Sequence, residues 1–350
     1  MLLPGGVKLG LGARARSCAD LVTLAEAAVA EGFEHFWAYD SGRCIETVVA
    51  LSYVALSQPS LVVGTATTNT ETRDPAVLAN ALATLSNLTS GRVICGIGLG
   101  DSAVRFLGRR PTRIAVFKER LKEIRALLAG ESVTCNGRPY RLPDPPLKPP
   151  LLLISAEGPT TCALAATAAD GAILSLGASP TALAHFVAQL RESALAVGRD
   201  PNQLYVCVWL QAAMATTRSA AIETLRPQAG RTLLAALKHV PDQILASTLP
   251  RLDSATAARV RDLSRQQGDE FHLAHEIVNL LGEAALTEFT VVGTASDCHE
   301  RLCALLAVPG VSELAINVYG TGLRAAIHDF ATEVLGPIAS QAPFIGVSST

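Results

Sequence analysis

The fold this sequence predicts is a (β/α)8 barrel with a helical insertion before its last strand. Three observations predict it. Short apolar segments alternate with helix-period segments from Val7 to Val334, and eight strands can be counted among them. The strand segments are apolar throughout instead of alternating, which suits parallel strands covered on both faces. An open doubly wound sheet usually carries GxGxxG directly after its first strand, and Leu9-Gly10-Leu11-Gly12-Ala13-Arg14 does not supply it.

The elements follow in order. Val7 to Leu11 reads as strand one, and Asp20 to Glu31 as a helix with Leu21, Leu24, Ala28 and Val29 on one face, closed by Gly32. His35 to Tyr39 is strand two, ending at Asp40-Ser41-Gly42, and Ile45 to Ser57 is a helix closed by Gln58-Pro59. Leu61-Val62-Val63 opens strand three. Asp74-Pro75 supplies an N-cap and first-turn proline for a helix whose Val77, Leu78, Ala81, Leu82, Leu85 and Leu88 recur at three- and four-residue steps. Ser90-Gly91 ends that helix, and Val93 to Ile97 is strand four, breaking at Gly98-Leu99-Gly100. Arg113 to Ala129 is a helix of mixed charge with Phe117, Leu121, Ile124, Leu127 and Leu128 inward.

After Gly130 the pattern changes. Val133 to Tyr140 holds an Asn136-Gly137 turn between β-prone residues, a small hairpin. A Pro-rich linker, Asp144 to Pro150, completes a 131–150 excursion. Leu151 to Ser155 is strand five with its helix at Pro159 to Ala168. Gly171 to Ser175 is strand six, followed by a helix from Ser179-Pro180 to Val197, and Leu204 to Ala213 is strand seven. Residues 216–288 carry only helical patterns, with Pro227, Pro241 and Pro250 as breaks. Thr290 to Thr294 is a short extended piece before a helix capped near Ser296-Asp297. Leu314 to Val318 is strand eight, Leu323 to Val334 the last helix, and Pro337 onward an irregular tail, so one domain covers 1–340 with 341–350 as a tail.

Composition narrows the function classes. Of the 350 residues, 49% are hydrophobic and 17% charged, which argues against disorder, yet no apolar run reaches the ~18 residues of a membrane span. The opening residues lack the basic flank and long apolar core of a signal peptide, so a cytoplasmic location is expected. A net charge of −2 gives no electrostatic reason to expect nucleic acid or an anionic membrane. The eight cysteines form no CxxC pair and none sits with His at zinc spacing, so no metal is expected. They read as buried small hydrophobes in a reducing compartment, with Cys44, in a strand-to-helix loop, as the alternative redox thiol. His272 and His275 share a helical face, but nothing in the sequence nearby completes a metal site.

Four loops at strand carboxyl ends carry the candidate chemistry, because in such folds those ends hold the site. Gly98 and Gly100 fit either close backbone approach to a flat ring or simple turn formation. Asp101 beside them fits a proton donor, if burial raises its pKa, or an N-cap. Glu157-Gly158-Pro159-Thr160 leads into a helix whose N-terminal amides and partial positive charge suit an anion, and it equally suits an ordinary turn. Asp40 orients a substrate or caps the next helix. Arg73 reaches a cofactor phosphate or, the favoured reading, holds its loop through backbone carbonyls. His35 starts its strand, at the opposite end of the barrel.

Four stretches carry a resemblance: Leu24 to Asp40, Gly64 to Pro75 with its Asn-x3-Arg-x-Pro spacing, Ser90 to Ser102, and Ser155 to Gly171 with Ala-Asp-Gly closing its helix. Through them the chain resembles the bacterial luciferase-like family of flavin- and deazaflavin-dependent enzymes, most of all its methylenetetrahydromethanopterin reductase branch. The likeness spans nearly the whole chain and is strongest from 60 to 175. It implies a (β/α)8 barrel, usually dimeric, with coenzyme F420 (a deazaflavin) or FMN in the carboxyl-end mouth. It implies a bulge with a non-prolyl cis peptide at Ala66-Thr67 behind the ring, with Asn69 in the same motif. Gly98 and Gly100 would let the chain approach the cofactor, and its phosphate end would meet Gly158, Pro159 and Thr160. Many members carry Asp-His at the end of strand two, where this chain has Asp40-Ser41, and several carry Glu where it reads Gly12-Ala13.

The expected function is therefore an F420-dependent oxidoreductase that passes a hydride between reduced coenzyme and a small molecule with a C=N or C=C bond. Asp101, Asp40 and Ser41 are the catalytic candidates. The alternatives are an FMN-dependent monooxygenase using O2 and a catalytically silent flavin-binding barrel.

Overall fold

A computed structural model describes residues 1–42, 44–100, 102–135, 137–249, 252–263 and 270–341. Asp101, the Asn136 corner of the hairpin, Pro250, the side chain of His272 and nearly all of the 341–350 tail lie outside the described residues.

The fold is a (β/α)8 barrel. Its strands are β1 (Lys8–Ala13), β2 (His35–Ala38), β3 (Val62–Asn69), β4 (Val93–Gly98), the hairpin pair β5 (Val133–Cys135) and β6 (Arg138–Tyr140), β7 (Leu151–Ala156), β8 (Gly171–Leu174), β9 (Tyr205–Met214), β10 (Val291–Gly293) and β11 (Glu313–Tyr319). Pairing runs β10-β9-β11-β1-β2-β3-β4-β7-β8, and β8 pairs again with β9, so eight strands close a ring. These eight are the strands counted in the sequence. The extended piece at 290–294 is an added short strand, β10, parallel to the carboxyl end of β9.

The chain forms two compact units. One comprises Gly10–Ser175 with Phe186–Cys207. In it the parallel registers Ala38↔Thr65, Asn69↔Gly98, Ile97↔Ile154 and Ala156↔Leu174 bring the carboxyl ends of β2, β3, β4, β7 and β8 to one edge. Between β3 and β4 the register slips: Thr65 to Thr68 spans three steps opposite two steps from Cys95 to Ile97. One extra residue is thus accommodated in β3, a bulge. Gly64 lets Trp37 lie flat on β3, since a Cβ there would stand 2.4 Å from the indole.

Helices in this unit start where side chains can cap them. Ser17 accepts from the Asp20 amide at 3.1 Å and starts Cys18–Ala30, two residues before the expected Asp20. Asp74 accepts from Ala76 and, with Pro75, starts Pro75–Leu88 as expected. That helix buries Leu78, Ala79, Leu82 and Leu85, whereas Val77 and Leu88, read as part of the inner face, are exposed. Only one side of the helix meets the sheet, so its remaining apolar residues face outward. The short helix Ser102–Phe106 was not evident in the sequence.

The other unit comprises Met1–Leu9, Leu176–His185 and the chain from Val208 onward. Its insertion forms the helices Arg218–His239, Asp242–Thr248, Ser254–Leu263 and Glu270–Phe289. Pro227 does not break the first of these. Ala221, Ile222, Leu225, Ala229 and Leu233 are buried around it, and that packing outweighs the ~3 kcal/mol an internal proline costs. The cap expected near Ser296-Asp297 is a capping box between Thr294 and Asp297 at the start of Ala295–Leu306: Thr294 Oγ1 accepts from the Asp297 amide at 3.3 Å, and Asp297 Oδ2 accepts from the Thr294 amide at 2.9 Å. Helical structure also continues through Gly336–Ser340, where an irregular tail was expected. Cys95, Cys162, Cys207 and Cys298 are buried, but Cys18, Cys44, Cys135 and Cys303 are partly exposed, so the burial reading holds for half of the thiols. Burial pushes the Cys95, Cys162 and Cys298 thiols up to about 12.

Candidate active site

The site edge is organised around Arg73, in the loop after β3. Its guanidinium forks between the carboxylates of Asp40, after β2, and Glu46, and donates to Thr68 Oγ1 at 3.2 Å. Asp40 is therefore not the cap of the following helix Thr47–Ser57. Glu46 is, accepting from the Val49 amide at 2.7 Å. Among the described residues Arg73 holds the loop through two side-chain carboxylates, not through backbone carbonyls. Burial raises the Glu46 pKa, but the Val49 amide and Arg73 outweigh it and keep the carboxyl below its ordinary range. Burial likewise works against the Arg73 charge, and Asp40 and Glu46 more than compensate. Ser41 turns its hydroxyl to Cys44, donating to Sγ at 3.1 Å.

In the bulge of β3 the Ala66–Thr67 peptide is cis, as the resemblance implies. Beyond it, Asn69 is buried and its Oδ1 accepts from the Glu71 amide, the Thr72 amide and the Thr72 hydroxyl at 2.9–3.1 Å. Asn69 is thus the pin of its own loop. Glu71 then ties this loop to the segment after β4. Its Oε1 accepts from Thr112 Oγ1 at 2.8 Å and Arg120 Nη1 at 2.7 Å, and its carbonyl accepts from Arg109. Burial raises the Glu71 pKa, but Thr112, Arg120 and Arg109 outweigh it and hold the carboxyl below its usual range. In the sequence, Arg120 was one charge in a mixed-charge helix. Nothing in its spacing marks it as a partner of residue 71.

At the end of β4, Gly98 lies against the bulge: a Cβ there would stand 3.2 Å from Thr67 Oγ1 and 3.5 Å from Ser155 Cβ. Thr67, Gly98 and Ser155 therefore form one continuous shelf of small groups across β3, β4 and β7. Gly100 has φ +88°, a left-handed conformation open to glycine, and Thr112 returns its amide to Leu99 O at 2.7 Å. After β7, Gly158 is the N-cap of Pro159–Ala168. Thr161 folds its hydroxyl inward, accepting from the Glu157 and Gly158 amides and donating to Gly158 O. The first-turn amides of Thr160 and Thr161 have no intrahelical acceptor, as in any helix start. Pro159 and Thr160 are exposed there.

The arrangement thus gathers Ala66, Thr67, Gly98 and Gly100 beside Glu157, Gly158, Pro159 and Thr160, a small-residue shelf beside a helix N-terminus. A shelf without bulky side chains accepts a flat ring, and a helix N-terminus accepts a phosphate. Asp40 and Asn69 frame the site and are engaged in holding its loops.

A (β/α)8 barrel with these features at its carboxyl-end edge defines a class of cofactor-dependent enzymes. The luciferase-like monooxygenase family model matches residues 1–313, and the chain belongs to that family. It is 26% identical over 330 residues to a 5,10-methylenetetrahydromethanopterin reductase of Methanolobus tindarius, covering 89% of this chain and 94% of that protein. It is 30% identical over 260 residues to an F420-dependent glucose-6-phosphate dehydrogenase of Mycolicibacterium smegmatis, covering 67% and 77%. Among solved structures, the F420-dependent tetrahydromethanopterin reductase of Methanopyrus kandleri superposes with a TM-score of 0.77 at 19% identity, covering 95% of this chain and 99% of that one. An F420-dependent secondary alcohol dehydrogenase bound to an F420-acetone adduct gives 0.76 at 18% identity, covering 97% and 99%.

Proposed function

We propose that this protein is an F420-dependent oxidoreductase that transfers a hydride between the reduced coenzyme and a small molecule carrying a C=N or C=C bond. The observation that carries the reading is the shelf of Thr67, Gly98 and Ser155 beside the helix start at Gly158. F420-dependent relatives along most of the chain support it. The deazaflavin, when bound, supplies the hydride-carrying carbon. This chain's residues set the face and the distance: the β3 bulge and Gly98 seat the ring, and the Thr160 and Thr161 amides hold the phosphate. Arg73 keeps Asp40 in place at the rim. Ser41 stands where many members carry histidine, so no imidazole there removes a substrate proton. Reduction of an activated double bond needs only a hydride and one proton, for which Asp101 is the donor in this reading.

The working form is proposed to be a homodimer. Helices Thr47–Ser57 and Pro75–Leu88 hold no charged residue, and Val49, Tyr53, Leu56 and Val77 stand exposed on them. A charge-free face meets its own copy about a two-fold axis without like-charge conflict. Among the described residues no helix is long and apolar enough to cross a membrane. Eight free thiols suit a reducing compartment, the cytoplasm.

The deciding experiment is equilibrium binding of oxidised F420 and of FMN, side by side, by fluorescence. Tight F420 and weak FMN binding is expected. The reverse would replace this reading with that of an FMN- and O2-dependent monooxygenase, and binding of neither would leave a silent barrel.

A further inference from the structure

Phe106 and Leu107 are 57% and 55% exposed, although they close a short helix whose Ala103 and Val104 are buried. The loop that presents them is a built element. Thr112 returns its amide to Leu99 O at 2.7 Å and its hydroxyl to Glu71 at 2.8 Å, while the Arg109 amide reaches Val104 O at 3.1 Å. The Phe106 side chain is not free in solvent either. A Cβ on Gly42 would stand 2.2 Å from its Cδ1, 2.5 Å from its Cγ and 2.8 Å from its Cβ. Phe106 therefore rests on the bare backbone of the loop that carries Asp40 and Ser41, and only glycine at position 42 lets it do so. An exposed aromatic ring fixed against the loop of Asp40 and Ser41 offers its free face as an apolar contact for a ligand. Behind this rim Arg73 is engaged with Asp40 and Glu46, and Arg120 with Glu71, while Arg105, Arg109 and Arg110 stand exposed on the same loop as Phe106 and Leu107.

We propose that Phe106 and Leu107 form an apolar lip that selects the substrate, and that the reacting double bond carries an aryl or other bulky hydrocarbon group. The proposal rests on the F420-dependent reading above. Phe106 contacts the hydrocarbon group across its free face, Leu107 widens the contact, and Gly42 sets the position of the ring.

The test uses N-phenyl-1-naphthylamine, an uncharged aryl probe whose fluorescence rises in apolar surroundings, titrated into the full chain saturated with F420. Wild type is expected to bind it saturably, Phe106→Ala at least tenfold more weakly and Leu107→Ala severalfold more weakly. Leu147→Lys, in the exposed Pro-rich linker, leaves binding unchanged. Absence of saturable binding in wild type, equal binding by Phe106→Ala, or loss in Leu147→Lys would each overturn the lip. F420 affinity is measured on the same samples. If wild type fails to bind F420, the functional reading fails. If F420 binds equally to wild type and Phe106→Ala while the probe ignores the substitution, the lip alone fails.

Discussion

Arg73 and Asp40 form an ion pair that ties the loop after β3 to the carboxyl end of β2, with both side chains largely buried (16% and 10% exposed). Two strand ends that carry candidate chemistry are thus held by one guanidinium. Arg73→Ala removes the ion-pair partner of the largely buried Asp40 and one partner of Glu46, so a loss of about 2–3 kcal/mol is expected in urea unfolding. Arg73→Lys recovers only part of it, because an ammonium cannot fork between two carboxylates.

Glu46 adds a pH signature to the same pair. Its carboxyl is held below its ordinary value, so its contribution is complete above that value and is lost as pH falls through the folded one. Glu46→Gln should flatten the acid limb of the stability profile and leave the neutral plateau lower. An unchanged acid limb would show that Arg73 draws its support from Asp40 alone.

Gly98 and Gly96 are expected to separate the proposed cofactor approach from folding. At Gly98 a Cβ meets Thr67 Oγ1 at 3.2 Å, a contact that small shifts absorb. Gly98→Val should fold and yet bind F420 at least tenfold more weakly. At Gly96 a Cβ meets the Thr65 carbonyl at 2.2 Å and Ile173 Cδ1 at 2.5 Å, both inside the sheet. Gly96→Ala is expected to destabilise by roughly 3 kcal/mol, in the range of overpacking. Thermal unfolding and a coenzyme titration on both variants check the contrast.

Asp297 closes the capping box with Thr294 and pairs with Arg218. Arg218, followed by the Thr294 amide, brings its pKa down to about 2. The pair is solvent-exposed on the arginine side, so most of its value is in the cap. Asp297→Asn should cost about 1 kcal/mol and Arg218→Ala under about 0.5 kcal/mol at neutral pH. The Asp297 contribution persists above pH ~4 and fades as pH falls toward 2, measurable as convergence of variant and wild type.

Tyr53→Lys, or Leu56→Glu, puts a charge on the outer strip of Thr47–Ser57. Sedimentation is expected to give a dimer for wild type and a monomer for the variant, with the circular dichroism spectrum unchanged. A monomeric wild type would overturn the proposed homodimer, and a variant that stays dimeric would exclude this face as its contact.

Much of this was legible in the residues. Asp74-Pro75 and Pro159 begin helices where expected, because a cap or a first-turn proline is a local signal. The eight barrel strands could be counted because apolar β-branched runs punctuated by Gly and Pro are local too. The cis peptide at Ala66–Thr67 came from the resemblance alone; nothing in Ala-Thr marks it. The partners of Asp40 and Glu71 were not legible. Arg73 lies 33 residues from Asp40 and Arg120 lies 49 residues from Glu71, so each pairing exists only after the sheet has brought distant loops together. Ser41 was singled out by what relatives carry at its position, and its hydroxyl proves to be engaged by Cys44, three residues on. Phe106 carried no signal, since the bare backbone of Gly42 beneath it appears only in three dimensions.

The shelf, its bulge and the helix start at Gly158 all lie within the uninterrupted stretch Gly10–Ser175, whereas the insertion helices come from a later stretch of the chain. In genetic terms the cradle is a cassette. A single double-crossover, with breakpoints in the turn after β1 and in the turn after β8, would move every cradle residue together and leave the insertion's coding sequence untouched.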